Sequence, residues 1–265
     1  MINTRQTRIL ILSLLLLAFV LVLALFIGRY PEPFWMSPSL LTTDSLAQKL
    51  VTQIRLPRIL TAMLLGMTLS ACGISLQMIF RNPLVEPGFL GVTQGAAFGA
   101  ALAILTISSS PLLIEASATV FGLGGLFLSY ILARRLRFGG WTLRLILAGI
   151  AVSATFSAGL GVLKYMADPL TELPDITFWL LGGLWGVTWQ DFWYILPFVL
   201  PGLVIAYLMR WRVNVLSLDD ATALSLGAQP VRERLIVLVA LVGATAAVTA
   251  VGGIVSWVGL IVPHI

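Results

Sequence analysis

Charged residues are scarce in this sequence. Of its 265 residues only 10% are Asp, Glu, Lys or Arg, whereas 59% are hydrophobic. A typical globular chain is about a quarter charged, so this chain lacks the polar side chains that a water-facing surface requires. Several runs of roughly 18 or more apolar residues have the pattern of membrane-spanning helices. The composition predicts an all-α polytopic protein embedded in a lipid bilayer. The basic residues fall between the predicted spans or near their ends, where topology accounts for them without any nucleic acid partner.

Histidine, cysteine and lysine are almost missing, which excludes several classes of catalytic, metal-binding and phosphate-binding site. His264 is the one histidine, so neither a Ser/His/Asp set nor an HExxH zinc motif can be assembled. Cys72 is the one cysteine, which excludes an intrachain disulfide and a cysteine-rich metal site; we expect it to be a buried packing residue. Neither Lys49 nor Lys164 lies in a phosphate-loop pattern. We therefore expect a chain that is not an enzyme, has no ATPase site of its own, and needs no cofactor or metal.

Seven full spans are predicted from the apolar runs, followed by part of an eighth. The first run is longer than the core of a signal peptide, so we expect it to stay attached. Residues 178–187, which are rich in Trp and Gly, are predicted to form a short interfacial or re-entrant helix. The predicted full spans are residues 9–27, 57–79, 89–107, 112–133, 144–166, 190–209 and 233–251.

The distribution of Lys and Arg in the short loops predicts the orientation. With the N-terminus in the cytoplasm, eleven of the sixteen basic residues fall on the inner side. Asp168, Glu172 and Asp175 then cluster outside. We therefore predict a multi-pass protein of the inner (plasma) membrane, with residues 1–265 forming one transmembrane domain.

The stretch RNPLVEPGFLGVTQG, residues 81–95, interrupts the apolar runs at the predicted cytoplasmic face. Pro83 and Pro87 cannot continue a helix, and Gly88 and Gly91 allow the next helix to begin irregularly. Broken helices of this kind are common in transporters, where protein or a water-filled cavity shields the irregular backbone. A simple Pro/Gly turn between two helices explains the spacing equally well.

Small residues recur at every fourth position in two predicted spans. The fifth span carries Gly149, Ser153, Ser157 and Gly161, and the second carries a similar row, residues 62–70. In lipid such faces allow helix backbones to approach closely. We expect them to be packing faces, although the same smooth surface could also line a conduit for a bulky solute.

The longest inner connection, residues 209–234, is predicted to contain a short ordered helix. Ser217 followed by Asp220 has the form of a capping box, and Gly227 fits the position just after a helix end. Pro230 prevents the helix from continuing. A capped helix flanked by arginines suits a groove on a cytoplasmic partner. It fits equally well a helical turn that only joins two spans.

Three stretches together resemble one family, the FecCD-type permeases of ABC importers for ferric siderophores, haem and cobalamin. They are IRLPRILTAMLLGMTLSACGISLQMIFRNPLVEPGFLGVTQGAAFG (54–99), NVLSLDDATALSLG (214–227) and GGIVSWVGLIVPHI (252–265). The resemblance implies the helical bundle of a type II ABC importer permease, with ten spans in the complete fold. It also implies a second permease subunit in a homo- or heterodimer, two cytoplasmic ABC ATPase subunits and an external substrate-binding protein. About three more helices would follow Ile265, so the sequence is expected to be C-terminally truncated.

The resemblance implies roles for particular residues. Arg55 and Arg58 match basic residues that pair with acidic groups on the binding protein; their alternative role is that of snorkelling interfacial anchors. Trp141, Thr142 and Leu143 match the neighbourhood of the cytoplasmic gate. The segment that matches the ATPase-coupling helix, with Asp in place of the family's usual Gly at position 219, comprises Leu216, Ser217, Leu218, Asp219, Asp220, Ala221, Thr222, Ala223, Leu224, Ser225, Leu226 and Gly227.

The predicted function is ATP-driven import of a metal chelate, with a ferric siderophore as the first choice. Haem, cobalamin or a molybdate-type oxyanion is the alternative cargo. A secondary carrier or a membrane scaffold is the competing class. The near absence of ionisable residues inside the spans argues against a carrier driven by its own ion relay.

Overall fold

A computed structural model describes residues 4–31, 34–106 and 110–265, and every regular element in these ranges is a helix. The predicted all-α class is therefore confirmed. In chain order the α-helices are α1 (Thr4–Phe26), α2 (Leu40–Thr43), α3 (Ser45–Lys49), α4 (Leu56–Phe80), α5 (Val92–Thr106), α6 (Pro111–Arg135), α7 (Trp141–Met166), α8 (Glu172–Leu181), α9 (Trp189–Leu216), α10 (Asp220–Ser225), α11 (Pro230–Gly252) and α12 (Val258–Ile261).

Six helical segments in the described ranges are long and apolar enough to cross a membrane. They are α1, the continuous run Ser45–Phe80 that ends with α4, and helices α6, α7, α9 and α11. The predicted third span corresponds to α5, which has only 15 residues. At 1.5 Å per residue α5 is about 22 Å long, shorter than a hydrocarbon core of about 30 Å. Each of the seven predicted spans coincides with a helix over most of its length, residue 107 lying outside the described residues, but the count of seven full spans is not confirmed.

The chain divides into two compact units. The first consists of Met1–Ala62 and Val187–Phe192, and the second of Met63–Gly186 and Trp193–Ile265. In the first unit, Met36, Ala47 and Val51 form a small buried core. There the indole Nε1 of Trp189 donates a hydrogen bond to the carbonyl of Thr52 at 2.8 Å.

Helix α5 lies at the core of the second unit, where it packs against α6, α7 and α11. Glycine makes the α5–α6 approach possible. A Cβ on Gly99 would lie 2.6 Å from the carbonyl oxygen of Ser117, and one on Gly95 would collide with the carbonyl oxygen of Phe121. Contacts this close between helix backbones are the usual means of packing without a hydrophobic driving force between the helices.

The prediction of a short helix at 178–187 was wrong in position. The helix in this region is α8, Glu172–Leu181, and it ends where Gly182 adopts a φ of +68°. Gly183 then donates its backbone N–H to the carbonyl of Gly252 at 2.8 Å. The tryptophans near the end of the stretch suggested an interfacial helix, but the glycine pair instead turns the chain towards the end of α11.

Candidate functional site

The short helix α10 begins at a different cap from the predicted one. Asp219 is the N-cap: its Oδ1 accepts the backbone N–H of Thr222 at 3.0 Å, and its Oδ2 accepts the Thr222 hydroxyl at 2.6 Å. Ser217 instead donates its hydroxyl to the carbonyl of Asn214 at 2.7 Å. The predicted Ser217–Asp220 capping box was therefore wrong. Helix α9 continues to Leu216, beyond the predicted span end at residue 209, so Ser217 follows the end of one helix rather than starting the next.

The end of α10 matches the prediction. Gly227 has a φ of +75° and lies just after the last helical turn. Its N–H bonds to the carbonyl of Leu224 at 2.9 Å, and the N–H of Ala228 bonds to the carbonyl of Ala223 at 3.0 Å. This pair of bonds is a Schellman motif. The helix is therefore defined at both ends by local hydrogen bonds, so it is an ordered element of the loop.

The charge on the Asp219 cap is stable at neutral pH. The hydrogen bond from the Thr222 hydroxyl, and then the one from the Thr222 backbone N–H, lower the pKa of the Asp219 carboxyl below its ordinary value of 3.8. Both bonds favour the ionised form because a carboxylate is the better acceptor. A negative charge at the start of a helix also suits the helix dipole.

The segment around α10 presents leucine side chains outwards. Leu218, Leu224 and Leu226 are exposed, with Leu224 60% accessible. Ala223 and Leu216 are buried beneath them. Exposed leucines on an ordered element between two spans are the kind of apolar surface that marks a protein contact.

Two arginines connect this segment to the adjoining helices. Arg234, on the first turns of α11, is 3% exposed; its Nη1 lies 2.8 Å from the Asp220 Oδ1, and its Nη2 donates to the carbonyl of Leu216 at 3.1 Å. Arg212 is half exposed, 3.7 Å from Glu233, and donates to the carbonyl of Gly227 at 3.4 Å. The segment is thus held at its start by a buried arginine and at its end by an exposed one.

The predicted gate residues lie beside this segment. Trp141, Thr142 and Leu143 line a cavity of about 470 Å³ together with Asp220 and Arg234. The ring of Trp141 packs edge to face on Tyr130, with ring centroids 5.5 Å apart. Two of the residue sets that the sequence predicted separately are therefore brought to one place in the second unit.

The stretch 81–95 adopts an irregular backbone and borders a second cavity. A 3-10 turn runs over Pro87–Leu90, and Gly91 has a φ of +82° before α5 begins at Val92. The cavity beside it has a volume of about 340 Å³. Its polar lining consists of Glu86, Thr93, Gln94, Ser153, Thr245, Thr249 and Ser256. Apolar side chains such as Leu69, Phe89 and Ile150 line the rest of this cavity, which we call the polar cavity for its hydroxyl and amide groups. The irregular stretch therefore adjoins a cavity, as in the first of the two interpretations that the sequence left open.

The small residues of α7 divide into two groups. A Cβ on Gly149 would collide with the carbonyl oxygen of Phe89, and the Ser153 hydroxyl lies 3.5 Å from the carbonyl of Gly88. Ser157 and Gly161 are exposed, and a Cβ on Gly161 would have no neighbour within 4 Å. The first pair packs against the irregular stretch, whereas the second pair faces away from the rest of the described chain.

The predicted docking arginines lie in the first unit and are both half-buried. The Nη1 of Arg55 donates to the carbonyl of Leu25, near the end of α1, at 2.6 Å. A Cβ on Gly28 would occupy the space of the Arg55 guanidinium, so the guanidinium lies close against the backbone of Gly28. Arg55 therefore has a structural partner within its unit, and the docking role of Arg55 and Arg58 stays a prediction.

Comparison with known proteins assigns the chain to a protein family. The model of the FecCD transport family matches residues 15–265. This chain belongs to the FecCD transport family. It is 38% identical over 259 residues to the molybdate import system permease protein MolB of Haemophilus influenzae, covering 95% of this chain and 76% of that protein. It is 35% identical over 215 residues to the hemin transport system permease protein HmuU of Yersinia pestis, covering 80% and 64%.

A solved structure described as an inward-facing ABC transporter of the metal-chelate type is also similar, with a TM-score of 0.87 and 38% identity. The match covers 97% of this chain and 80% of that one. The FecCD chain is thus a membrane protein with the fold of an ABC importer permease. It spans between 64% and 76% of the length of the two curated relatives named above.

Sequence reasoning missed several residues of this FecCD site. Thr245 and Thr249 lie one turn apart on α11 and face the polar cavity; hydroxyls spaced by four residues inside an apolar run were the available signal. The sequence analysis used Arg234 only as a basic residue of the inner side. In VRERL (231–235) it lies two residues after Arg232, and therefore on the other side of the helix. Burial, which decides its role, does not follow from the sequence.

Proposed function

We propose that this chain is the permease subunit of an ATP-driven importer that carries a metal chelate, with a ferric siderophore as its first cargo. The observation that supports this best is the α10 segment, a helix capped at both ends that presents exposed leucines between two spans. A connecting turn needs neither the caps nor the apolar surface. A docking helix for a partner protein needs both, because order reduces the entropy lost on binding.

In the assembly that we propose, residues 1–265 form part of one transmembrane permease domain in the inner membrane, with the N-terminus in the cytoplasm. A second permease subunit, identical or different, completes the pore. Two cytoplasmic ABC ATPases bind the α10 segments and carry out ATP hydrolysis. An external binding protein delivers the cargo, and Arg55 and Arg58 are the cations that would attract its acidic surface.

Transport follows from the arrangement of the second unit. ATP binds one arrangement of the ATPases better than the other, and this difference in affinity drives the change of state. Closure of the ATPases moves the α10 segment, which lies beside Trp141, Thr142 and Leu143 in the 470 Å³ cavity. Movement there changes the packing of the gate region. The exposed pair Ser157 and Gly161 provides a smooth surface on α7 for the second permease subunit or for the conduit.

The polar cavity supports a chelate as cargo. Its hydroxyl and amide groups donate and accept hydrogen bonds, as a hydroxyl- and amide-bearing chelate requires. Glu86 adds a carboxylate, which repels an oxyanion. Molybdate is nevertheless the second candidate cargo, because the Haemophilus molybdate permease is 38% identical over 95% of this chain.

The test is uptake of radiolabelled ferric siderophore, haem, cobalamin and molybdate by cells whose only permease of this class is the full-length gene product. Each assay is run with an active and with an ATPase-dead partner. ATP-dependent accumulation of a ferric siderophore is the expected result. Accumulation of molybdate alone would assign the second cargo, and accumulation that survives the ATPase-dead partner would contradict the importer.

A paired variant separates the importer from the competing classes. Replacing Asp219 and Asp220 with arginine removes the α10 cap and reverses the charge of its first turn. In the importer, ATPase association and uptake fall together. In a secondary carrier uptake persists, and in a scaffold the wild-type chain shows no uptake at all.

A further inference from the structure

Arg234 is the most deeply buried charged side chain among the described residues, and it joins its own helix to two others. It belongs to α11, its Nη1 reaches the carboxylate of Asp220 in the first turn of α10, and its Nη2 reaches the carbonyl of Leu216 at the end of α9. A guanidinium has a planar fork of donors, so one side chain can fix two acceptors in one geometry. Lysine, with a single charged nitrogen, cannot reproduce this arrangement.

The two partners of Arg234 differ in burial. The Leu216 carbonyl belongs to a fully buried residue, whereas the side chain of Asp220 is 57% exposed. The guanidinium is therefore anchored on the side of α9, and its other arm extends to the surface where α10 lies. A buried charge that lost its partner would be strongly disfavoured. When Asp220 is displaced, Arg234 therefore has to move with it.

The second link to the segment is weaker. Arg212 is 49% exposed, lies 3.7 Å from Glu233 and donates a long bond of 3.4 Å to the Gly227 carbonyl. Glu233 is 15% exposed, but the 3.7 Å separation is longer than the 2.8 Å of the Arg234–Asp220 pair, and water and salt screen the exposed Arg212. The rigid connection between α10 and the spans is therefore at Asp220 and Arg234.

Helix α11 leads from this connection to the polar cavity. Thr245 and Thr249 of the same helix line that cavity. They lie 11 and 15 residues beyond Arg234, or about 16 and 22 Å along a helix that rises 1.5 Å per residue. A continuous helix is stiff over this length, so a shift imposed at Arg234 is carried to the cavity wall.

We propose that Arg234 is the positioning residue of this permease, which fixes α10 to α11 so that movement of α10 is passed to the wall of the polar cavity. The proposal rests on the importer function proposed above. Arg234 contacts neither cargo nor nucleotide; it acts through Asp220 and through the helix that carries it.

The experiment uses the full-length permease in complex with its ATPases, reconstituted in liposomes. Uptake and ATP hydrolysis are measured in the same vesicles, and amide hydrogen exchange of residues 220–226 is measured in the same complexes. The variants are Arg234→Met, which removes the charge while keeping the length, Arg234→Lys, which keeps the charge, and Asp220→Asn. The matched control is Arg232→Met, because Arg232 is exposed on the same turn of α11.

We expect Arg234→Met to reduce the uptake per ATP hydrolysed at least tenfold and to accelerate exchange in α10, with ATPase association retained. Arg234→Lys should recover part of the uptake per ATP hydrolysed. Asp220→Asn should give a value between those of Arg234→Lys and the wild type. Arg232→Met should behave as the wild type. If Arg234→Met and Arg234→Lys retain the wild-type ratio, or if exchange in α10 does not change, the proposal is overturned.

If the proposed importer function is wrong, the experiment gives a different result. In that case the wild-type complex does not accumulate any cargo, whereas the exchange measurement still decides whether Arg234 positions α10. Unchanged exchange in Arg234→Met would then overturn the positioning role without any transport assay. Variants that fail to assemble are recognised by gel filtration, and Arg234→Lys, which keeps the buried charge, then carries the test.

Discussion

The strongest test of the packing of α7 is a pair of glycine substitutions on one helix. Gly149 and Gly161 occur in the same four-residue row, yet only Gly149 meets a neighbour. A Cβ on Gly149 would lie 3.0 Å from the Leu90 Cα and would collide with the Phe89 carbonyl oxygen. A Cβ on Gly161 would meet nothing within 4 Å. Gly149→Ala should therefore destabilise the chain, and Gly161→Ala should not.

The magnitude follows from the atoms involved. Both substitutions gain the same helix propensity, about 1 kcal/mol, so this contribution cancels in the comparison. Forcing an extra methyl into a packed site costs about 1–3 kcal/mol, and the obstacle at Gly149 is backbone, which cannot rotate away as a side chain can. We expect Gly149→Ala to be about 2 kcal/mol less stable than Gly161→Ala, roughly a 30-fold difference in the unfolding equilibrium constant.

The assay is reversible unfolding of the purified chain in mixed micelles, with the fraction of SDS as the denaturing variable. The free energies of unfolding of the two variants are compared with each other and with the wild type. If the two agree within about 0.5 kcal/mol, the variation typical of surface substitutions, the packing of Gly149 against the 3-10 turn is refuted. The row would then have to be explained as a surface for another subunit over its whole length.

Three further predictions concern the α10 segment and the buried thiol. Asp219→Ala should accelerate amide exchange in α10, because the cap for the Thr222 N–H is lost, whereas Asp219→Asn keeps an acceptor and should behave nearly as the wild type. The folded-state pKa of Asp219 is lowered from 3.8, so its contribution to stability is fully present above 3.8 and is lost only as the pH falls through the lower value. α10 exchange, corrected for intrinsic rates, should therefore show no transition between pH 5 and 8, and a transition there would contradict the cap. Cys72 is fully buried, so a membrane-impermeant maleimide should label it only after denaturation. Labelling of the folded chain would contradict the burial of Cys72.

The sequence predicted several local features of this protein, although the cap of α10 and the position of α8 were wrong. The seven predicted apolar runs each coincide with a helix, because a chain in lipid must satisfy its backbone polar groups within helices. Gly227 was identified as the residue after α10 because a positive φ favours glycine. The Pro and Gly residues at 83–91 predicted an irregular backbone for the same kind of local reason. The family resemblance rested on such short stretches and was confirmed.

The tertiary structure decided which of the similar residues matter. Gly149 and Gly161 share one pattern, but only one of them packs in the chain. Arg232 and Arg234 are two residues apart, but only Arg234 is buried and tied to α9 and α10. A membrane helix is apolar on its lipid face and on its packed face, so hydropathy does not distinguish the two. The side that each residue faces is set by the helices that pack against it. Gly149 packs against the turn at Phe89, and Arg234 is tied to α9 and α10.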